Sequence, residues 1–164
     1  MRVWMAFLIF LVCAPQLLEA QSLTLPDVLK VTGLPADQLD SFMRKHFFYR
    51  QSSDTDSLLT SRYYTNIERS VDDPTWLRSL SITDAVHNQY QARLVIYRTY
   101  NKSEYEAQLS WLLEHQFTTQ GVFTFDASTH WVYSDGKATV RLKVSEAALP
   151  GRGHVKVYEV EAGQ

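Results

Sequence analysis

Beyond residue 13 the sequence has no cysteine: Cys13 is the only one in 164 residues. No disulfide can staple the rest of the chain, and no thiol there can serve as nucleophile or metal ligand. Stability must come from a packed core. After residue 12 there is also no apolar run long enough for a membrane-spanning helix, which takes about 20 residues. An excess of either charge is missing too. Sixteen Lys and Arg stand against 18 Asp and Glu, a net charge of −2, so the basic patch that nucleic acid or an anionic membrane calls for is not there. Among motifs, GxxxxGK[ST], GxGxxG, GxSxG and HExxH are all absent. Their absence removes the usual signals for a phosphate-cradling loop, a dinucleotide fold, a nucleophile elbow and a helical zinc pair.

The first residues supply what the rest lacks. Arg2 gives a short positive segment, Val3–Val12 is an uncharged apolar run, and Leu18-Glu19-Ala20 puts a small residue just before Gln21. That order predicts a cleavable export signal over residues 1–20 and a single globular domain over 21–164, periplasmic or extracellular. The alternatives are a retained anchor, or an outer-membrane lipoprotein modified at Cys13, for which Val12 stands where Gly, Ala or Ser is expected. Losing residues 1–20 removes Arg2 and Glu19, so the charge stays at −2, and it carries off the only cysteine. A chain of the remaining size buries roughly 68–70% of its unfolded surface, enough for an independent core. Trp76, Trp111, Trp131 and many Tyr and Phe favour a folded domain over a disordered one.

Along the mature chain, Thr24 can cap a helix in which Pro26 suits the first turn. Leu25, Val28 and Leu29 form its stripe and Gly33 its stop. Pro35 opens a second helix with Leu39, Phe42 and Met43 on one face. A helix–turn–helix hints at DNA binding, but Asp37 and Asp40 balance Arg44 and Lys45, which favours a packing role. Residues 51–57 (QSSDTDS) read as a polar loop, and a strand is expected over Arg62–Arg69. Residues 70–88 offer a turn at Asp72-Asp73-Pro74, then Trp76, Leu77 and Leu80 in a helical turn or packed loop.

The clearest strand is Gln89–Tyr100. Tyr90, Ala92, Leu94, Ile96 and Tyr100 share one face; Arg93, Val95, Tyr97 and Thr99 share the other. Ser103 and Glu106 then make a capping box for a helix with Tyr105, Leu109, Leu112 and Leu113 on one face, ending near His115. Further strands follow at Gly121–Phe125, at Trp131–Tyr133 and at Ala138–Val144, the last two joined by an Asp135-Gly136 hairpin. Pro150-Gly151 turns the chain into a final strand over His154–Glu161. The expected fold class is α+β, with helices packed on one face of an antiparallel sheet.

A faint echo recurs at a spacing of 70 residues. Gln38, Leu39, Phe47, Asp56 and Tyr63 match Gln108, Leu109, Phe117, Asp126 and Tyr133, and Phe42-Met43 match Leu112-Leu113. Two tandem helix-plus-strands halves, 24–70 and 89–161, would explain it. So would the fact that any two amphipathic helices followed by strands align about as well. This layout resembles the architecture of β-lactamase-inhibitor-like domains. In order of elements and aromatic content, the chain is also similar to small uncharacterised exported proteins of Gram-negative bacteria. The resemblance implies a fold and no functional residues.

For chemistry, the five histidines are His46, His87, His115, His130 and His154, and no two lie at i and i+4. His46 and His115 fall at helix ends, where the dipole favours an imidazolium. His130 with Asp126 and Asp135 is the best cluster for a small hydrolase, against the simpler reading of a polar surface around a hairpin. Asp54-Thr55-Asp56 lacks the glycine and distal Glu of a calcium loop, Gly151-Arg152-Gly153 is too short to cradle phosphate, and Asn101-Lys102-Ser103 fits a glycosylation sequon. No cofactor and no metal is expected.

A binding role has better support. If helices cover one sheet face, the other must be solvated or used, and Tyr64, Arg93, Tyr97, Trp131 and Tyr133 are the candidates to line it. Aromatic and Arg side chains anchor interfaces because they desolvate well while keeping a polar tip. The competing account for each is core packing. The expected partner is a protein, a peptide or an envelope component; a purely structural role is the third reading.

Overall fold

The computed structural model describes residues 22–66, 77–87, 90–149, 151 and 153–163. The expected export signal with Cys13, the turn at Asp72–Pro74, Trp76 and Arg152 lie outside the described residues.

Among the described residues two helices come first. In α1 (Leu25–Gly33) the Thr24 hydroxyl accepts from the Asp27 amide, and the Asp27 carboxylate accepts from the Thr24 amide. This reciprocal cap satisfies two orphan donors, with Pro26 in the first turn. After Leu34-Pro35, α2 (Ala36–Lys45) begins. Four strands follow: β1 (Tyr49–Thr55), β2 (Leu59–Thr65), β3 (Ser79–His87) and β4 (Tyr90–Thr99). A third helix, α3 (Lys102–Glu114), leads into β5 (Thr118–Phe125), β6 (Ser128–Ser134), β7 (Thr139–Leu149) and β8 (Gly153–Gly163). The cap of α3 is Asn101, whose side-chain oxygen accepts from the Ser103 amide. Ser103 is therefore not the cap, and Glu106 instead pairs with Lys102.

All eight strands form one antiparallel sheet in the order β1-β2-β3-β4-β8-β7-β6-β5. Among the described residues strand accounts for 54% and helix for 25%. The α+β expectation is corrected by this: the described residues are predominantly an eight-stranded antiparallel sheet, with three short helices as the minor part. Two strands escaped the sequence reading. Residues 51–55 belong to β1, an edge strand exposed on both faces, where no apolar alternation can appear. In β3 only Leu80 and Ile82 are buried apolar residues.

The sheet consists of two four-stranded meanders, β1–β4 and β5–β8, joined through β4 and β8. Their outer hairpins share one register at a spacing of 69 residues. Tyr49 opposes Thr65 as Thr118 opposes Ser134, and Arg50 opposes Tyr64 as Thr119 opposes Tyr133. Even the bulges correspond, at Arg50/Ser52 and Thr119/Gly121. The helices leading into them end alike. Phe47 and Gln116 take positive φ, while Phe48 and Phe117 donate back to the carbonyls of Met43 and Leu112. That is the Schellman stop, with buried apolar residues at both ends of the bond. The expected spacing of 70 is thus off by one. The expected halves, 24–70 and 89–161, also divide the chain differently from the strand pairing, which keeps β3 and β4 with the first meander. Where the meanders meet, β4 and β8 pair from Leu94 opposite Gly163 to Thr99 opposite Tyr158.

The helices rest on one face of this sheet. Leu25, Val28 and Val31 of α1, Leu39 and Met43 of α2, and Tyr105 and Leu112 of α3 form one core with Tyr64, Leu80, Ile82, Val95, Tyr97, Val140, Leu142, Val160 and Ala162. Leu113, expected on the packed stripe of α3, is exposed, and Gln108 takes the buried position, donating to the Leu23 carbonyl. Among the described residues, no helix is long and apolar enough to cross a membrane.

Candidate functional site

Strand alternation divides the sheet into a helix-covered face and an open one. The faces of β4 alternate as the sequence predicts, but the aromatic face is the covered one. Tyr97 is fully buried, stacked at a tilt on Phe48, and its hydroxyl donates to Glu104 at 3.0 Å. Burial, then the Glu104 charge, pushes this phenol far above its ordinary pKa. Tyr64 is buried as well and donates to Asp40 at 2.8 Å, and burial with that hydrogen bond raises its pKa too. Tyr133 lies in the core, and Trp131 packs against it half-buried.

Arg93 also points to the helix side. It pairs with Asp84 and donates to the carbonyls of Val31 and Leu34, tying the end of α1 to the sheet. Arg62 holds the other side of the same carboxylate. Burial alone would raise the Asp84 carboxyl, but hydrogen bonds from Arg93 and Arg62 outweigh it and hold it low. The side chains of the five residues expected to line the open face, Tyr64, Arg93, Tyr97, Trp131 and Tyr133, therefore lie on the covered side, although Arg93 also borders the trough described below. The pattern misled because both faces of β4 carry apolar residues: Leu94 and Ile96 on one, Val95 and Tyr97 on the other.

The hydrolase cluster is not assembled. Asp126 and Asp135 sit in the turns at opposite ends of β6, with His130 mid-strand between them. The Asp135 carboxylate accepts the amides of Lys137 and Ala138, which lowers its pKa and commits it to the turn. The His130 ring is buried beneath Phe123, and neither of its nitrogens has a hydrogen-bond partner among the described residues. His46 and His115 are helix C-caps; His115 stacks on Trp111 and bonds that residue's carbonyl.

The open face carries a different set of residues. Across its centre, cross-strand neighbours form the row Val132–Arg141–Glu161–Ile96–Ser81–Tyr63. The next row runs Phe123–His130–Lys143–Glu159–Arg98. Arg141 pairs with Glu161, while Glu159 is gripped by Lys143 and Arg98, each at 2.9 Å. Burial would raise the Glu159 carboxyl, but those two cations outweigh it and hold it below the usual range. Both carboxylates are nearly covered by the basic side chains beside them. Basic residues at 141 and 143 and acidic residues at 159 and 161 show strand spacing in the sequence, and that signal could have located this face.

Where β8 runs out at Gly163, the open face sinks into a trough of about 830 Å³. One bank is the β3–β4 side, with Thr83, Ala85 and Leu94; the other holds Val132, Thr139 and Arg141. Glu161 lies at its head, paired to Arg141. Among the described residues no group of three His, Cys, Asp or Glu side chains converges in a way that could hold a metal. No protein-family model, curated protein or solved structure matches this chain.

Proposed function

We propose that the chain is an exported, non-enzymatic binding module that captures an extended segment of a protein or peptide of the cell envelope on the open face of its sheet. The observation that carries this reading is the trough beside the Arg141–Glu161 pair. Its lining combines apolar surface from Ala85, Leu94 and Val132 with the basic residues Arg93, Lys137 and Arg141 and one acidic residue, Glu161. That mixture is the usual chemistry of a protein interface, where an apolar centre is bordered by charge. The trough is open along its length, whereas sites for small molecules enclose most of the ligand. A segment with an apolar side chain and a neighbouring charge suits it.

The experiment is a selection of displayed random peptides on the wild-type domain, followed by affinity measurements on two variants. Leu94→Arg and Val132→Glu change side chains of the open face, so circular dichroism and melting should stay close to wild type. The expected result is at least a tenfold loss of affinity for the selected peptides, about 1.4 kcal/mol. Peptides that bind both variants as tightly as the wild type would place the binding surface elsewhere.

A further inference from the structure

We propose that β5 is a docking edge for a second copy of this chain, and that it pairs antiparallel with its own counterpart to join the two sheets. The sheet has two edges, β1 and β5. The β1 edge, YRQSSDT, carries Arg50 and Asp54. The β5 edge, TTQGVFTF, has neither a charge nor a proline. Val122 is 57% exposed, Phe123 45% and Phe125 71%. A sheet edge offers a row of free N–H and C=O groups, and proteins normally blunt it with charge, proline or cover. The one device present in β5 is the bulge at Thr119/Gly121, which leaves Gly121–Phe125 regular.

Symmetry fixes the register. Antiparallel pairing sets residues of the same face opposite each other, so a two-fold axis must pass through a residue rather than between two. An axis at Phe123 uses the whole regular segment. Phe123 then meets its own copy, Gly121 meets the partner's Phe125, and Val122 meets the partner's Thr124. On the open face the Phe125 ring covers the bare backbone of the glycine, and the two Phe123 rings meet at the axis. On the other face two β-branched side chains pair. No charge opposes a charge anywhere along the edge. Aromatic and β-branched cross-strand pairs of this kind are among the stabilising ones. Phe123 is already held in place, its ring lying on His130 with centroids 4.8 Å apart, so little ordering is required on association.

The complementarity belongs to β5 with itself: small against large, four residues apart, reversed by the two-fold axis. This is the reason for a second copy in preference to an unrelated strand. Five paired residues with their side chains make an interface at the small end of the range, below about 1,200 Å². The association is accordingly reversible and concentration-dependent.

Sedimentation velocity on the full exported chain tests this, over about 1 to 500 µM, a span suited to a small, weak interface. The wild type should shift from monomer to dimer across that range. Phe123→Lys and Thr124→Lys, which place a charge on the edge, should stay monomeric with unchanged circular dichroism, whereas Ser53→Lys on β1 should dimerise as the wild type does. In the exported chain, which has lost Cys13 with residues 1–20, Phe123→Cys should oxidise to a disulfide-linked dimer and Ser53→Cys should not. A wild type that is monomeric throughout overturns the proposal. So does self-association that survives both β5 lysines, or that is lost only with Ser53→Lys.

Discussion

The ring of Phe123 lies flat on the imidazole of His130, with planes 3° from parallel, and both nitrogens of that imidazole are buried without a hydrogen-bond partner among the described residues. Burying an unpaired polar group costs about 1–3 kcal/mol. Replacing it with an apolar group of similar size removes the cost and keeps the packing. His130→Leu should therefore be neutral or raise stability by about 1 kcal/mol in urea unfolding. A loss of about 2 kcal/mol or more would show that the imidazole has a stabilising polar role.

Tyr97 should behave as a core residue and not as part of the binding surface. Its hydroxyl donates to Glu104, which also accepts from Thr99 and pairs with Arg78. Tyr97→Phe keeps the ring against Phe48 but takes one donor from that buried carboxylate. The expected cost is about 1–3 kcal/mol, with peptide capture unchanged once the fraction folded is accounted for. Normal stability combined with lost capture would mean that the covered and open faces have been assigned the wrong way round.

Local signals in the sequence read well where a single residue type dictates the backbone. Thr24 caps α1, and Asp135-Gly136 turns the β6–β7 hairpin, with Gly136 at positive φ. The alternation of β4 was legible too. What alternation does not encode is which face meets the helices, because Leu94 and Ile96 are as apolar as Val95. That choice depends on where α1 and α3 pack, a long-range matter. Strand β1 was illegible for another reason: at an edge with both faces in water there is no burial to leave a pattern. The open-face residues were hidden by their chemistry, since Arg141, Lys143, Glu159 and Glu161 look like ordinary solvated charges until β7 and β8 are placed side by side.

The β5–β6 turn is made from residues that do not favour it. Phe125 opposes Ser128, so Asp126 and Ala127 form a two-residue loop, and both have positive φ. A hairpin turn of this hand wants Asn-Gly or Asp-Gly. Alanine in the left-handed region costs roughly 1–2 kcal/mol, part of which glycine returns through its looser unfolded state. Ala127→Gly should raise stability by about 0.5–1 kcal/mol in urea unfolding. Gln116→Gly, at the positive-φ stop of α3, should act in the same direction. A loss at both sites would mean that these backbones do not have the conformation described.

Acid should unfold the protein through carboxylates that the fold keeps ionised. Asp84 between Arg62 and Arg93, and Glu159 between Lys143 and Arg98, have pKa values held below their ordinary ones. So do Asp56 and Asp135, which accept backbone amides in their turns. As pH falls the unfolded chain takes up these protons first, near pH 4, and the native state resists until lower pH. Stability should therefore be level above about pH 6, begin to fall near pH 5, and keep falling below 4. Asp84→Asn should cost about 1–2 kcal/mol at pH 7, between the value of a surface pair and that of a buried one. It should also flatten the decline between about pH 5 and 2, because one proton-linked group has gone. Urea midpoints measured from pH 3 to 7 on both proteins would check this. Two parallel curves would show that Asp84 holds its arginines by hydrogen bonding alone, with no ionised carboxylate required.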